Sequence, residues 1–275
     1  MVGENGSAME IICLRAFTDN YIWLLRHGGH VVAVDPGDPE PVATHLESSG
    51  DRLDAILLTH HHPDHVGGVA ELRRQHSVPV YGPALEQIPG VTHGLTGGER
   101  ILLAFPDAEL ALEVLDVAGH TRGHLAYFAN LGAGDYRRNI LFCGDTLFSL
   151  GCGRLFEGSA EQMYHSLRKL ATLPRDTQIY CAHEYTHYNL PFALTVEPAS
   201  PALLRRAEKL KSLMNAGQAT VPMSLADELE TNPFLRCHVS AVMASAARHS
   251  QGPLASAIDV FAALREWRNN FKASL

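Results

Sequence analysis

The chain has 275 residues, with 22 basic and 30 acidic side chains and a formal net charge of −8, a length that suits one large domain or two unequal ones at roughly 100–200 residues each. With 46% hydrophobic and 19% charged residues it is not a disordered chain, no apolar run reaches the ~18 residues of a membrane span, and an acidic chain without basic blocks is a poor partner for nucleic acid. The opening MVGENGSAME has neither the basic nor the apolar segment of a secretion signal, so a cytoplasmic protein is expected, with residues 1–8 as an extension ahead of the first strand.

From there, short β-rich runs ending in Gly or Asp predict strands at Ile11–Leu14, Tyr21–Leu25, Val31–Val34, Ala55–Leu58, Val78–Tyr81, Ile101–Phe105, Leu110–Val117, Leu125–Ala129, Ile140–Cys143 and Gln178–Cys181. Helical patterns fall between them at Pro39–Ser48, Gly68–His76 and Ala160–Leu173. Strands interrupted by occasional helices predict sheets covered by helices, an α/β architecture. After residue 199 the period becomes helical. Ser200-Pro201 is an N-cap followed by Pro at the first helical position, and Leu203, Ala207, Leu210 and Met214 then form one apolar stripe. Ser224 with Asp227 resembles a capping box opening a short helix, and Val239–His249 and Pro253–Trp267 read as further helices. The acidic excess lies in residues 1–199, whereas residues 200–275 are slightly basic. These changes divide the chain into an α/β domain, 9–185, and a small helical domain, 186–275.

The unusual count is 16 histidines, about one residue in 17, which directs attention to metal binding. Four of them fall in Thr59-His60-His61-His62-Pro63-Asp64-His65, after the apolar run that ends at Leu58 and before Gly67-Gly68. His60 and His62, two apart, project the same way if the strand persists; Asp64 and His65 are placed by the turn and face a second point. Such mixed N/O donors suit zinc, iron or manganese. Further candidates sit at other strand ends, in Gly119-His120-Thr121-Arg122-Gly123-His124, Cys143-Gly144-Asp145-Thr146 and Tyr180-Cys181-Ala182-His183-Glu184. The reading is that His60, His62 and His124 hold one ion, Asp64, His65 and His183 the other, and Asp145 bridges them. His61 points away. Thr59, His61, Asp35 and Asp116 are candidates to support the ligands, since metal-bound imidazoles donate their second N–H to an oxygen; Asp35 reads equally well as a turn residue. The five cysteines, Cys13, Cys143, Cys152, Cys181 and Cys237, are odd in number and scattered, which fits free thiols in a reducing compartment.

Thr59–His65 resembles the T-H-x-H-x-D-H signature of the metallo-β-lactamase superfamily, which implies an αββα sandwich with the metals between the two sheets at one edge. A closer resemblance, to the glyoxalase II (hydroxyacylglutathione hydrolase) family, runs through Phe17-Thr18-Asp19-Asn20-Tyr21, Gly144–Phe148, Gly151–Gly158, His183–Thr186, Asn189-Leu190 with Phe192-Ala193, and Thr231-Asn232-Pro233-Phe234-Leu235-Arg236. It implies a C-terminal α-helical domain that helps to hold glutathione, with Arg154, Tyr185, Arg265 and Arg268 as the matching positions. The implied reaction is hydrolysis of S-D-lactoylglutathione to glutathione and D-lactate, the second step of methylglyoxal detoxification. The nucleophile it implies is a hydroxide bridging two divalent ions, zinc first, with Asp64 and Asp145 at the reacting centre. The thiolate leaving group, with a conjugate acid near the pKa of free Cys, about 8.5, needs little help from a general acid. A monomer is expected. The alternative is a persulfide dioxygenase with a single iron and glutathione persulfide, which resembles the same family; the helical domain with Asn232-Pro233-Phe234 and the Arg265/Arg268 pair favours the hydrolase. Net charge counts against a nuclease of the superfamily, and the missing export signal against a β-lactamase.

Overall fold

The computed structural model describes residues 9–131 and 138–272, so the extension 1–8 lies outside the described residues. Two compact units emerge, residues 1–116 with 123–144 and residues 117–122 with 145–275. They cut the chain differently from a division by secondary structure at residue 185.

The first unit opens with the antiparallel strands β1 (Glu10–Ala16), β2 (Asn20–His27) and β3 (His30–Val34) and continues in parallel through β4 (Arg52–Leu57), β5 (Val80–Pro83) and β6 (His93–Leu95), in that spatial order. The edge strand β1 is largely open to solvent along its length, whereas β3 and β4 end in buried apolar runs, the pattern of strands covered on both faces. Helices α1 (Pro39–Ser49) and α3 (Val69–His76) supply part of that cover. Val42, Leu46, Val69 and Leu72 pack with Ile22, Leu24, Val31, Ala33, Leu53, Ile56 and Val80 in one apolar cluster. Between β4 and α3 stands a single turn of helix, α2 (Pro63–Val66). A second, antiparallel set follows, β7 (Arg100–Phe105), β8 (Ala108–Asp116), β9 (Leu125–Leu131) and β10 (Arg138–Gly144), each paired with the next. The Tyr127 hydroxyl donates to the Leu58 carbonyl at 2.7 Å, and the Leu125 N–H to the Thr59 carbonyl at 2.8 Å. These bonds bring the start of β9 against the chain that leaves β4.

At the opposite end of this unit, Arg26 pairs with Asp51 in a two-point bond, Nε to Oδ2 at 2.7 Å and Nη2 to Oδ1 at 3.1 Å. The guanidinium holds the Asp51 carboxyl down to about 2. A carboxyl depressed by folding contributes stability that is complete above its unfolded pKa, about 4, and is lost as pH falls through the folded value. Asp51→Asn is therefore expected to lower the melting temperature at pH 7 and to flatten its decline between about pH 4 and pH 2. Parallel declines for the two proteins over that interval would count against the ion pair.

The second unit is mainly helical. After the hairpin β11 (Leu147–Phe148) and β12 (Gly151–Cys152) come α4 (Ala160–Leu170), β13 (Gln178–Cys181), α5 (Thr186–Val196), α6 (Pro201–Asn215), β14 (Met223–Ser224), α7 (Leu225–Thr231), α8 (Ser240–His249) and α9 (Ala257–Asn270). Ser200 caps α6 as its sequence predicts, accepting from the Leu203 N–H, and the stripe Leu203, Ala207, Leu210 packs on Leu150, Leu190 and Ala193. Ser224 caps α7 through the Ala226 N–H. Helix α9 begins at Ala257 and not at Pro253, because Ser256 and Asp259 form a reciprocal capping box there. Phe192, Phe234, Phe261 and Trp267 fill the interior with ring contacts of 5.4–5.9 Å. No helix among the described residues is long and apolar enough to cross a membrane.

Candidate metal centre

Within the first unit, the chain leaving β4 turns over a single buried carboxylate. Asp35, 4% exposed and in the left-handed region at φ 49°, accepts from the Thr59 N–H (2.8 Å), the Thr59 hydroxyl (2.6 Å) and His65 Nδ1 (3.0 Å). Because the Thr59 hydroxyl donates to Asp35, its lone pair faces His60 Nδ1 at 3.1 Å. One acid thus fixes two imidazoles with N–H at Nδ1 and the lone pair at Nε2. That is the tautomer which suits a metal ligand, and Asp35 both turns the chain at the end of its strand and accepts from Thr59 and His65.

Around His60 the other rings gather: His62 at 4.6 Å between centroids, His65 at 4.0 Å, and His124 stacked at 4.6 Å. Ligand-capable atoms of His60 with His62, of His60 with His65, and of Asp64 with His65 lie within 4.8 Å of each other. Asp64 is oriented by Asn20, whose side-chain amide donates to Oδ2 at 2.9 Å. The turn is compact enough that a Cβ on Gly37 would stand 1.8 Å from the Asp64 carbonyl oxygen, so no larger residue fits at 37. His61 turns to Glu86, at 2.9 Å, as its place between the two alternating histidines predicts. His124 is fully buried and its Nδ1 faces the Leu125 carbonyl at 3.0 Å.

In the second unit, Asp145 is flanked by two imidazoles. His183 Nε2 lies 3.3 Å from Oδ1 and His120 Nε2 3.4 Å from Oδ2, and all three side chains are buried. His120 donates from Nδ1 to the Arg154 carbonyl at 2.8 Å, so its lone pair is at Nε2, toward Asp145. The sequence reading selects Asp145 and His183 but passes over His120 in favour of His124. The two histidines stand in one Gly-His-x-x-Gly-His run, and their surroundings separate them: His120 bonds the Arg154 carbonyl and faces Asp145, whereas His124 bonds the Leu125 carbonyl and stacks on His60. Asp116, a candidate support, ends β8 exposed.

The expected substrate side chains also belong to this unit. Tyr185 stacks on His183 at 4.7 Å with 7° between the rings. Arg154 is exposed, and Arg268 is half-buried with Nε and Nη2 on the Asn189 side-chain oxygen at 3.3 and 3.2 Å. Burial, and then the positive charges of Arg265 and Arg154, push the Arg268 guanidinium below its usual value, so the three cations share one electrostatic neighbourhood. Arg265 differs from its expected place. It is 5% exposed, lies over the Phe234 ring at 5.2 Å and donates from Nη1 to the Cys152 carbonyl at 2.8 Å. The structure therefore gives this arginine a main-chain partner where the sequence suggests a substrate carboxylate. Cys143 and Cys181 are buried, as small hydrophobes are.

Two family models match the chain, the Metallo-beta-lactamase superfamily over residues 16–183 and the Hydroxyacylglutathione hydrolase C-terminus over residues 184–271. A protein of Nitrosomonas eutropha named hydroxyacylglutathione hydrolase is 47% identical over 264 residues, 96% of this chain and 100% of that one. One of the same name from Alkalilimnicola ehrlichii is 52% identical over 262 residues, 94% and 98% of the two chains. Among solved structures, a metallo-beta-lactamase from Staphylococcus aureus is similar with a TM-score of 0.62, 18% identity and coverage of 98% of this chain and 75% of its own, a likeness of fold.

Proposed function

The chain belongs to the hydroxyacylglutathione hydrolase family, within the metallo-β-lactamase superfamily, and on that premise we propose that it hydrolyses S-(2-hydroxyacyl)glutathione, S-D-lactoylglutathione first, at a two-metal centre. It is a thioester hydrolase of α/β fold with a helical C-terminal region, and its fold implies divalent metal. We assign metal ligation to His60, His62, Asp64 and His65 and to His120, Asp145 and His183. His124 is assigned to the stack behind His60. The donor set fits: imidazoles, of which His60, His65 and His120 have Nδ1 bonded to an oxygen, together with carboxylates, are what zinc or a similar divalent ion takes. Bound there, two such ions would lower the pKa of water to about 7 and draw charge from the thioester carbonyl.

The chain's own residues do the rest. Asp145 presents one oxygen to each side, and Asp64, held by Asn20, keeps a carboxylate turned toward His65. Arg154 and Arg268 would take the glutathione carboxylates by charge-assisted bonds, with Tyr185 beside them. The departing thiolate needs no acid, so none has to be found. The observation that carries the reading is the Asp145 carboxylate set between two buried imidazoles. All proposed ligands come from one chain, so a monomer suffices, and the odd number of scattered cysteines supports a cytoplasmic setting. The single-iron persulfide dioxygenase is not favoured, since the relatives and the C-terminal family match are those of the hydrolase.

The test is hydrolysis of S-D-lactoylglutathione by purified protein, with metal content measured on the same sample before and after chelation. About two ions per chain, activity lost with them and restored by zinc, is the expected result; full metal without hydrolysis would discard the substrate. Arg268→Ala is expected to raise KM about tenfold with kcat retained, the mark of lost binding shared by ground and transition states. An unchanged KM would remove Arg268 from the site.

A further inference from the structure

The hairpin of β11 and β12 has only two residues in each strand, and its turn holds Leu150 at φ 58°, a conformation a branched side chain adopts only when its surroundings impose it. What imposes it is a set of polar side chains from the helices. Asn232 Nδ2 donates to the carbonyls of Phe148 (3.2 Å) and Gly151 (3.0 Å), and Asn189 Nδ2 to that of Ser149 (3.0 Å). Glu228 Oε2 accepts the Leu150 N–H at 3.0 Å, and Arg265 Nη1 donates to the Cys152 carbonyl at 2.8 Å. Each of these side chains is buried. The main chain of 148–152 is thus held at five consecutive residues by side chains from distant parts of the sequence.

This segment lies between two parts of the presumed ligand set. Asp145 stands three residues before Phe148. Past it, the Gly153 N–H returns to the Thr146 carbonyl at 3.2 Å, and the Arg154 carbonyl accepts His120 Nδ1 at 2.8 Å. The closure is tight: a Cβ on Gly153 would stand 2.0 Å from the Asp145 carbonyl oxygen and 3.2 Å from His120 Nδ1. Wherever the hairpin goes, the acceptor that orients His120 goes with it.

We propose that Arg265 is a positioning residue for the metal ligands: by fixing the Cys152 carbonyl it sets the Arg154 carbonyl, and through it the His120 ring against Asp145. The inference rests on the reading of His120 and Asp145 as ligands. It gives the helical region a hand in the metal centre in addition to substrate binding. A guanidinium that contacted substrate would act on KM; one that aligns a ligand acts on metal retention and kcat, as partners behind a ligand do, typically by 10–100-fold.

The experiment compares wild type, Arg265→Met, Arg265→Lys and His120→Ala. It reads zinc loss to a competing chelator, the visible spectrum of the cobalt-loaded protein, and kcat and KM for S-D-lactoylglutathione. Arg265→Met is expected to release zinc at least about tenfold faster, to shift the cobalt bands and to lower kcat with KM unchanged. Arg265→Lys, which keeps a cationic donor on a long side chain, is expected to recover most of all three. A raised KM with wild-type zinc release and cobalt spectrum overturns the proposal and returns Arg265 to the substrate. Should Arg265→Met fail to fold by circular dichroism, Arg265→Gln, which keeps a planar donor, carries the same comparison. His120→Ala with undiminished metal would instead overturn the ligand assignment on which the inference stands.

Discussion

Asp145→Ala is expected to lower kcat on S-D-lactoylglutathione by about three orders of magnitude, or ~4 kcal/mol of barrier, and to reduce bound metal below one ion per chain. Its carboxylate is buried between His120 and His183, with one oxygen 3.3–3.4 Å from each imidazole. Removing it takes away the only carboxylate of this unit that the reading gives to metal, and leaves two neutral rings with no negative charge between them. Asp145→Asn separates charge from shape. The amide keeps the volume and one acceptor but not the anion, so metal affinity should fall nearly as far while the melting temperature of the metal-free protein stays close to wild type. Steady-state kinetics with metal analysis on dialysed protein decides it. Retention of two ions with activity within about tenfold of wild type would show that Asp145 is not a ligand.

The largest loss of stability is expected from Glu228→Ala. Glu228 is fully buried; it pairs with Arg206, accepts the Leu150 N–H at 3.0 Å and accepts from Asn232 Nδ2 at 2.9 Å. Arg206 also donates to Thr231 and Ser149, but these are uncharged. Truncating one partner of a buried pair strands the other charge, at about 3–5 kcal/mol, and here leaves the Leu150 N–H without its acceptor as well. A fall of about 10 °C in melting temperature follows from that range for a chain of this size. Glu228→Gln, which keeps both acceptor contacts on one oxygen, should cost less than Glu228→Ala, because the stranded guanidinium is then the main penalty. Thermal melts of the two variants followed by near-ultraviolet circular dichroism test the ordering; equal melting temperatures for Glu228→Ala and wild type would refute the network's weight.

The local features of the fold were legible wherever burial repeats along the chain. β13 has its predicted span, Gln178–Cys181, and β3 and α3 differ from theirs by a residue at one end, since period and caps lie within the segment itself. Helix α5 was hidden. It carries Pro191 in its middle and buried side chains on several sides, so neither a clean period nor a start signal marks it. The two-residue strands of the hairpin were equally invisible, being held by side chains 40 to more than 100 residues away. At the candidate site the same division applies. His60 to His65 could be read because they are neighbours on one turn, and Asp35 because it ends a strand. Whether His120 or His124 faces a carboxylate depends on a carbonyl 34 residues downstream, and whether Arg265 faces solvent or main chain depends on the hairpin. No spacing rule within the chain encodes either.

One arrangement bears on how such a protein can change over time. His120 is held by the backbone oxygen of residue 154, while the side chain of that same residue points outward into solvent. A backbone oxygen is the same whichever amino acid carries it. With the Arg154 side chain at the substrate and His120 at the metal, as proposed above, the gene can exchange the arginine at 154 for other residues, and so drift in what the enzyme prefers to bind, without passing through ancestors whose chemistry had failed. Selectivity and reactivity meet at a single codon and are still free to evolve apart.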